Sequence, residues 1–418
     1  MPEQKKSFVL TEDWTVVILG FVIIIAALAG FYFPAPAFGW KSEELVSKIF
    51  SADNLGKILI QFLFTFGIVL LGAWLTAKPI RNIIIVFPVV FILSVIALIV
   101  SGSAALKDYN LEAVIFSLAI GLLISNTIKL PEWFRLTLTT ELFVKIGLVL
   151  LGTSIIFSDI LKAGSKGLVQ AVAVVISVWY FSYWVCKKLK VDEELSMMLS
   201  SAVSICGVSA AIATAGAIKG DSKKLSYVVS VVLITAIPMM IIMPYIAKYF
   251  NFPEAVTGAW LGGTIDTTGA VVASGTLVGE EALKISTIVK FSQNVLLGLA
   301  AFAISIYWTY TKKDMSQNAE NKPTLATIWE RFPKFVLGFV AASLLFSFLL
   351  SADTIAAVKA PLKSMQSLWF VLAFTSIGLE TNFRELFQLS NRKPFYSFLI
   401  AQLFNIFITL IIAFLLFK

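Results

Sequence analysis

Apolar residues run along this chain in tracts close to twenty residues long, at 15–33, 57–77, 83–103, 113–126, 136–156, 168–186, 195–218, 227–247, 255–278, 282–310, 333–350, 367–379 and 395–417. Such tracts match the roughly 20 residues an α-helix needs to cross a hydrocarbon core of about 30 Å. Most of them, 18–33 for example, lack the polar stripe at 3.6-residue spacing that a soluble amphipathic helix carries. The pattern predicts an all-α polytopic, multi-pass membrane protein with about eleven to thirteen membrane segments. Two tracts break the rule. Residues 200–219, SSAVSICGVSAAIATAGAIK, and 258–275, GAWLGGTIDTTGAVVASG, are crowded with Gly, Ser and Thr where a lipid-facing helix carries Leu, Ile and Phe. In lipid an open backbone is tolerated only when it is buried in protein or lines a water-filled cavity. The expectation is therefore two interrupted helices, 195–218 and 255–278, that build a binding site at mid-membrane depth.

The polar connections divide the chain into a cytoplasmic N-terminus at 1–14, a first transmembrane block at 15–310 holding both interrupted segments, a cytoplasmic linker at 311–332 and the second-repeat helices at 333–418. Placing Lys5 and Lys6 in the cytoplasm puts Lys78, Arg81, Lys129, Arg135, Lys187, Lys188, Lys190, Arg392 and Lys393 on that same side, as the positive-inside rule requires. The loop after the first interrupted segment, with Lys219, Lys223 and Lys224, disagrees if that segment crosses the membrane. It agrees if both interrupted segments are re-entrant and dip in from opposite faces. An internal repeat also shows. AVIFSLAIGLLISN followed by KIGLVLLGTSIIFSDIL matches KFVLGFVAASLLFS followed by FVLAFTSIGLETNFREL, with Gly152 on Gly378, Phe157 on Phe383 and Asp159 on Glu385. An odd number of crossings separates the copies, so the repeat is predicted to be inverted.

Composition narrows the chemistry. The net charge of +8 is scattered through short loops, the ordinary orientation signal, so no nucleic-acid partner is expected. There is no histidine, which removes histidine proton relays and histidine metal ligands. The two cysteines, Cys186 and Cys206, read as buried or lipid-facing thiols and not as a disulfide. Nothing resembles a phosphate-cradling loop, a nucleophile elbow or a metal-ligand cluster. The expectation is a protein that is not an enzyme, holds no cofactor beyond a bound sodium ion or proton, and draws on an ion gradient or on substrate exchange.

Ionisable side chains inside membrane segments cost on the order of 2.5–3.5 kcal/mol each, so they are functional candidates. Asp266 lies in GGTIDTTG, where Gly263 frees the backbone and Thr264, Thr267 and Thr268 add hydroxyls, a set suited to a sodium ion or to a proton on the carboxylate. Capping of a half-helix that begins at Thr267 accounts for Asp266 equally well. Around Ser204, Cys206, Gly207 and Ser209, an interruption would present backbone N–H groups and hydroxyls at the positive end of a half-helix, which favours an anion. Close helix packing accounts for the same small residues. Lys290 and Asn294 share a helix face with Gln293 beside it. Lys290 is placed to neutralise Asp266 or to hold substrate charge, with snorkelling to the interface as the plainer role. Glu141 and Lys145, four apart, suit a mutual ion pair at least as well as a binding role, and Glu380 with Arg384 read as interfacial.

The motifs LAIGLLISN, KIGLVLLGTSIIFSDIL, SICGVSAAIATAGAIK, GAWLGGTIDTTGAVVASG, ISTIVKFSQNVLL and IGLETNFREL, in that order, resemble the YeiH-type bacterial inner-membrane proteins, a family labelled as sulfate exporters. The resemblance implies a fold like that of the cation/proton antiporter and anion transporter superfamily. That fold has a panel domain and a core domain with two crossing interrupted helices, and it usually forms a homodimer in the inner membrane. The leading expectation is a secondary active transporter, an exporter, that moves a small anion such as a sulfate, sulfonate or carboxylate by an elevator-like motion. Ser204, Cys206, Gly207, Ser209, Gly263, Thr264, Thr267, Thr268, Lys290 and Asn294 would bind the substrate, with Asp266 and Gln293 at the coupling ion. The alternatives are a cation/proton antiporter that uses Asp266 and a membrane sensor that does not transport.

Overall fold

A computed structural model describes residues 10–31, 34–41, 47–104, 113–155, 157–311, 329, 332–381 and 392–418. Lys5, Lys6, Phe383, Arg384, Glu385 and most of the 311–332 linker lie outside the described residues. The described chain is almost wholly helical and contains no named strand. In order the helices are α1 (Glu12–Leu28), α2 (Ala52–Leu75), α3 (Ile80–Ser101), α4 (Ala113–Thr127), α5 (Glu132–Thr137), α6 (Thr140–Leu151) and α7 (Phe157–Lys188). There follow α8 (Glu193–Ser204), α9 (Val208–Ile218), α10 (Ser222–Tyr249), α11 (Glu254–Thr264), α12 (Thr268–Val278), α13 (Glu280–Thr311), α14 (Lys334–Leu344), α15 (Ala352–Glu380) and α16 (Arg392–Phe417). Among the described residues seven stretches are long and apolar enough to cross a membrane, including α2, α3, α7, α10, α13 and α16, and the shorter apolar helices include α9 and α12, from the two tracts rich in Gly, Ser and Thr.

One apolar tract is longer than hydropathy predicts. The tract read as 367–379 is the second half of α15, which begins at Ala352. Its first half buries Val358, Leu362 and Met365 along one face and leaves Lys359 and Lys363 exposed, so the charges hide the helix from a hydropathy scan.

Two compact units interleave along the chain, one from residues 1–157 and 334–382, the other from 158–333 and 383–418. The first carries the repeat. With the two repeat strings laid end to end, Leu118 matches Phe339 and Gly121 matches Ala342. A Cβ on Gly378 would meet the Leu118 carbonyl and lie 2.8 Å from the Gly121 α-carbon; one on Gly152 would meet the Phe339 carbonyl and lie 3.1 Å from the Ala342 Cβ. The packing is thus exchanged between the copies, α15 on α4 as α6 on α14. The aligned pair Phe143 and Trp369 touch each other, ring centroids 5.7 Å apart. Thr140 meets Glu380 while Gly147, two turns on, meets Phe370, so α6 and α15 run antiparallel. An antiparallel pair of equivalents on a local two-fold is what an inverted repeat requires.

The same unit holds the charges read as Glu141 with Lys145. The Lys145 ammonium lies 3.6 Å from Glu141, and also 3.0 Å from Asp13 and 3.6 Å from Glu12, while Glu12 in turn takes Lys78 at 2.9 Å. These ions fasten α1 to α6 and serve the packing of the unit. Glu380 accepts a hydrogen bond from the Thr140 hydroxyl at 2.5 Å.

In the second unit, α7, α10, α13 and α16 are 32, 28, 32 and 26 residues long, each sufficient to span a bilayer. They enclose two helical hairpins, α8 with α9 and α11 with α12. Each arm, 11 or 12 residues, reaches about 17 Å, half of a hydrocarbon core. The first hairpin returns to the face it left. Lys224, just past its second arm, binds Asp192 at 2.7 Å and Glu194 at 3.0 Å at the start of its first arm. The second does the same, since a Cβ on Gly279, after α12, would lie 2.7 Å from the Glu254 carboxylate at the start of α11. Because the spanning helix α10 joins the two, they open on opposite faces. The loop of Lys219, Lys223 and Lys224 therefore sits on the side of Lys187 to Lys190, which resolves the disagreement in the charge pattern in favour of re-entrant segments.

Candidate functional site

The hairpin tips are built by different local devices. At the first, Gly207 donates its N–H to the Ala202 carbonyl at 3.0 Å, closing α8 with the reversed turn that helix C-termini adopt. Gly207 has φ +62° and ψ −112°, a region that side chains avoid. At the second, Ile265 and Thr267 are extended, with φ/ψ of −75°/130° and −99°/142°. The Thr267 hydroxyl accepts from the Ala270 N–H at 3.3 Å and so caps α12. The cap falls on Thr267 and not on Asp266, which leaves the Asp266 carboxylate to face the junction.

The tips meet. A Cβ on Gly207 would lie 3.0 Å from the Asp266 Cβ and 2.7 Å from Val232. Two side-chain bridges hold them together. From α13, the Lys290 ammonium donates to the Ile205 carbonyl and to Gln293 Oε1, both at 2.9 Å, and Gln293 Nε2 donates to the Gly263 carbonyl at 2.9 Å. From α16, Asn405 Nδ2 donates to the Val203 carbonyl at 3.0 Å and to the Thr264 carbonyl at 3.3 Å. Gln402 Nε2 adds a bond of 2.9 Å to the same Thr264 carbonyl, and the Thr409 hydroxyl steadies Asn405 at 2.8 Å. Each bridge thus reaches the C-terminal carbonyls of both first arms. Those are the groups an interrupted helix leaves without partners and that lipid cannot satisfy.

Lys290 is 1% exposed and Asp266 2% exposed, so neither snorkels to an interface. Among the described residues they form no direct ion pair; Lys290 is held on the first tip and Asp266 on the second. Asn294 donates to the Thr268 hydroxyl at 3.3 Å, joining α13 to the first turn of α12. Of the residues singled out in the sequence, Cys206, Gly207, Gly263, Thr264, Asp266, Thr267, Thr268, Lys290, Gln293 and Asn294 gather at this junction. Ser204 is buried beside it, but its hydroxyl donates back to the Ser200 carbonyl at 2.7 Å within its own helix. Ser209 is exposed on α9.

Several glycines belong to packing. Cβ atoms on Gly258, Gly262 and Gly275 would strike the backbone or side chains of Ala282, Leu283 and Ser286 on α13. At these positions the packing reading of the small residues holds. Sequence reasoning missed Gln402, Asn405, Thr409 and Gln170; the last donates to the Ala259 carbonyl at 2.7 Å. Their signal was available. Gln402, Asn405 and Thr409 stand three and four apart in an otherwise apolar tract, the spacing that marked Lys290 and Asn294.

Comparison with known proteins places this architecture. A family model described as conserved hypothetical protein 698 matches residues 85–397, a span that takes in both hairpins and the α13 bridge and ends within α16 ahead of Gln402 and Asn405. The chain belongs to this family. It is the YeiH-type family that the motifs resemble, and its curated members are called UPF0324 membrane proteins. One from Rhodopirellula baltica is 41% identical over 86% of the chain and 67% of its own length. One from Nitratidesulfovibrio vulgaris is 35% identical over 88% of the chain and 64% of its own length. One from Nitrosomonas europaea is 28% identical over 90% of the chain and 89% of its own length. The chain thus spans about two thirds of the first two relatives. No solved structure matches. As a UPF0324 protein the chain is a multi-pass membrane protein.

Proposed function

We propose that the chain is a secondary active transporter for a small anion, coupled to an ion gradient, with the substrate held where the two hairpin tips meet. The observation that carries this reading is the double bridging of the tips, which concentrates a buried ammonium, a buried carboxylate and two half-helix N-termini in one place. A buried charge of either sign is costly at membrane depth and so marks a site of binding or passage. The N-termini of α9 and α12 and the Lys290 ammonium favour negative charge. The Asp266 carboxylate favours a cation, so one site accommodates an anion with its coupling ion. Lys290, Cys206, Gly207, Thr267, Thr268 and Asn294 are the substrate-facing groups in this reading, with Asp266 and Gln293 at the coupling ion. Movement is elevator-like, and a second copy of the chain completes a homodimer.

A second reading follows from Asp266 alone. A carboxylate buried without a partner suits a cation/proton antiporter in which no anion binds. Purified protein in liposomes separates the two. The transporter reading expects gradient-driven flux of sulfate, a sulfonate or a dicarboxylate under a sodium or a proton gradient. Cation flux indifferent to every anion supports the antiporter, and no flux of any kind overturns both.

A further inference from the structure

The lysines where the first hairpin meets the membrane surface outnumber the acids beside them. Glu193 takes Lys187 at 3.6 Å, while Asp192 and Glu194 both hold Lys224, at 2.7 and 3.0 Å. Asp221 caps α10 through the N–H groups of Lys223 and Lys224, and its own N–H donates to Glu194 at 3.4 Å. These bonds draw the end of α7 and the starts of α8 and α10 into one cluster and engage its acids. Lys188, Lys190, Lys219 and Lys223 are exposed there and pair with no acid among the described residues. Local structure does not require these charges. Lys223 stands in the first turn of α10, where the helix dipole disfavours a cation. Lys190 and Lys219 lie just past α7 and α9 at φ +57° and +52°, left-handed positions that glycine occupies without strain. Lys188 ends an exposed row on α7. Ile176, Tyr180 and Trp184 precede it at four-residue spacing, Tyr180 66% and Trp184 55% exposed, and its ammonium lies 5.9 Å from the Trp184 ring centre. Aliphatic, then aromatic, then basic is the order in which a helix face passes from hydrocarbon through the interface to the headgroups.

We propose that this surface docks anionic phospholipid, with headgroups held by Lys188, Lys190, Lys219 and Lys223 and an acyl chain along Tyr180 and Trp184. The positive-inside rule assigns this face to the cytoplasm, where the leaflet carries the anionic lipids. Orientation alone asks only that lysines lie on that side; it does not ask that they lack acids, oppose a helix dipole or take left-handed positions. A free anion would use the lysines and leave the aromatic row unexplained. Lipid uses both, because its charge and its chain are joined. The dock fastens the base of the first hairpin to the bilayer, and it holds whether or not the chain transports.

The test titrates the full chain, purified in detergent, with phosphatidylglycerol, phosphatidylcholine or glycerol phosphate at fixed ionic strength and follows its melting temperature. A saturable rise in Tm is expected with phosphatidylglycerol, larger than with phosphatidylcholine and smaller in high salt. A lysine near an anionic surface is worth about fivefold in affinity, so Lys188→Gln, Lys190→Gln, Lys219→Gln and Lys223→Gln together should weaken the phosphatidylglycerol response on the order of a hundredfold. Gln at Lys162, Lys166 and Lys248, exposed at the far ends of α7 and α10, should leave it in place. Lys190→Gly with Lys219→Gly separates lipid binding from folding. Glycine relieves both dihedrals, so the Tm without lipid should not fall while the affinity drops on the order of tenfold. Equal responses to the two lipids, or a phosphatidylglycerol response that survives all four Gln substitutions, overturns the dock. So does a glycerol phosphate response lost with the same four lysines, which would make the surface a site for free anions.

Discussion

The two hairpin tips solve one problem in opposite ways. Each must end a helix in the middle of the membrane and start another, and each leaves carbonyls that lipid cannot satisfy. The α8–α9 tip solves it with backbone, through a glycine at φ +62° packed against Val232 and Asp266. The α11–α12 tip solves it with side chains, through the Thr267 cap and an extended turn with ordinary dihedrals. The first tip is therefore intolerant of any side chain at one position. The second carries its chemistry, Asp266, on a turn that imposes no such demand.

The sharpest way to break this contrast is Gly207→Ala. The new methyl would occupy a disfavoured dihedral region and press into Val232 at 2.7 Å. Strain and overpacking together predict a loss of about 3 kcal/mol or more, read as a large fall in Tm or a failure to purify. Next comes Asn405→Ala on α16. It leaves the buried Val203 carbonyl without its bridge and removes one of the two side-chain donors to Thr264, for about 1–3 kcal/mol. Thermal unfolding checks it, and Asn405→Asp should rescue at most in part, because a buried protonated carboxyl offers one donor where the amide uses two. Thr267→Ala removes only a cap and should cost about 1 kcal/mol. If it matches Gly207→Ala in severity, the division between a backbone tip and a side-chain tip is wrong.

The smallest effect lies at the membrane surface, where the first hairpin closes on itself. Burial raises the Asp192 pKa, but Lys224 and the N–H groups of α8 lower it further, and it sits below the usual carboxylate value. A depressed pKa means that the ionised form is the one stabilised in the folded state. The contribution is full above the unfolded value and is lost as pH falls through the folded one. Asp192 is about half exposed, so Asp192→Asn should cost no more than about 1 kcal/mol. The difference between variant and parent should vanish in acid and shrink in high salt.

What was legible in the sequence follows the same contrast. Small polar residues inside apolar tracts mark both tips, and loop charge favours their re-entrant form, because lipid punishes open backbone and the leaflets sort lysine. The repeat was visible in two Gly-centred strings, and the exchanged packing of Gly152 and Gly378 gives it a physical basis. The α16 bridge was overlooked because Gln402, Asn405 and Thr409 are uncharged. One amide per turn barely lowers the hydropathy of an apolar helix, yet at mid-membrane it satisfies carbonyls that nothing else reaches. The cap expected at Asp266, for a half-helix beginning at Thr267, falls one residue later on Thr267, since either residue type serves and only the turn geometry decides.

In the proposed transporter the two tips work as one site, tied through Lys290 on one side and carrying Asp266 on the other. Gradient-driven sulfate or sulfonate flux in liposomes, measured for the parent, Lys290→Met and Asp266→Asn with each shown to be monodisperse, tests it most directly. Robust flux is expected for the parent and near-complete loss for both variants, although they alter different tips. Parent-like flux in either variant would contradict it.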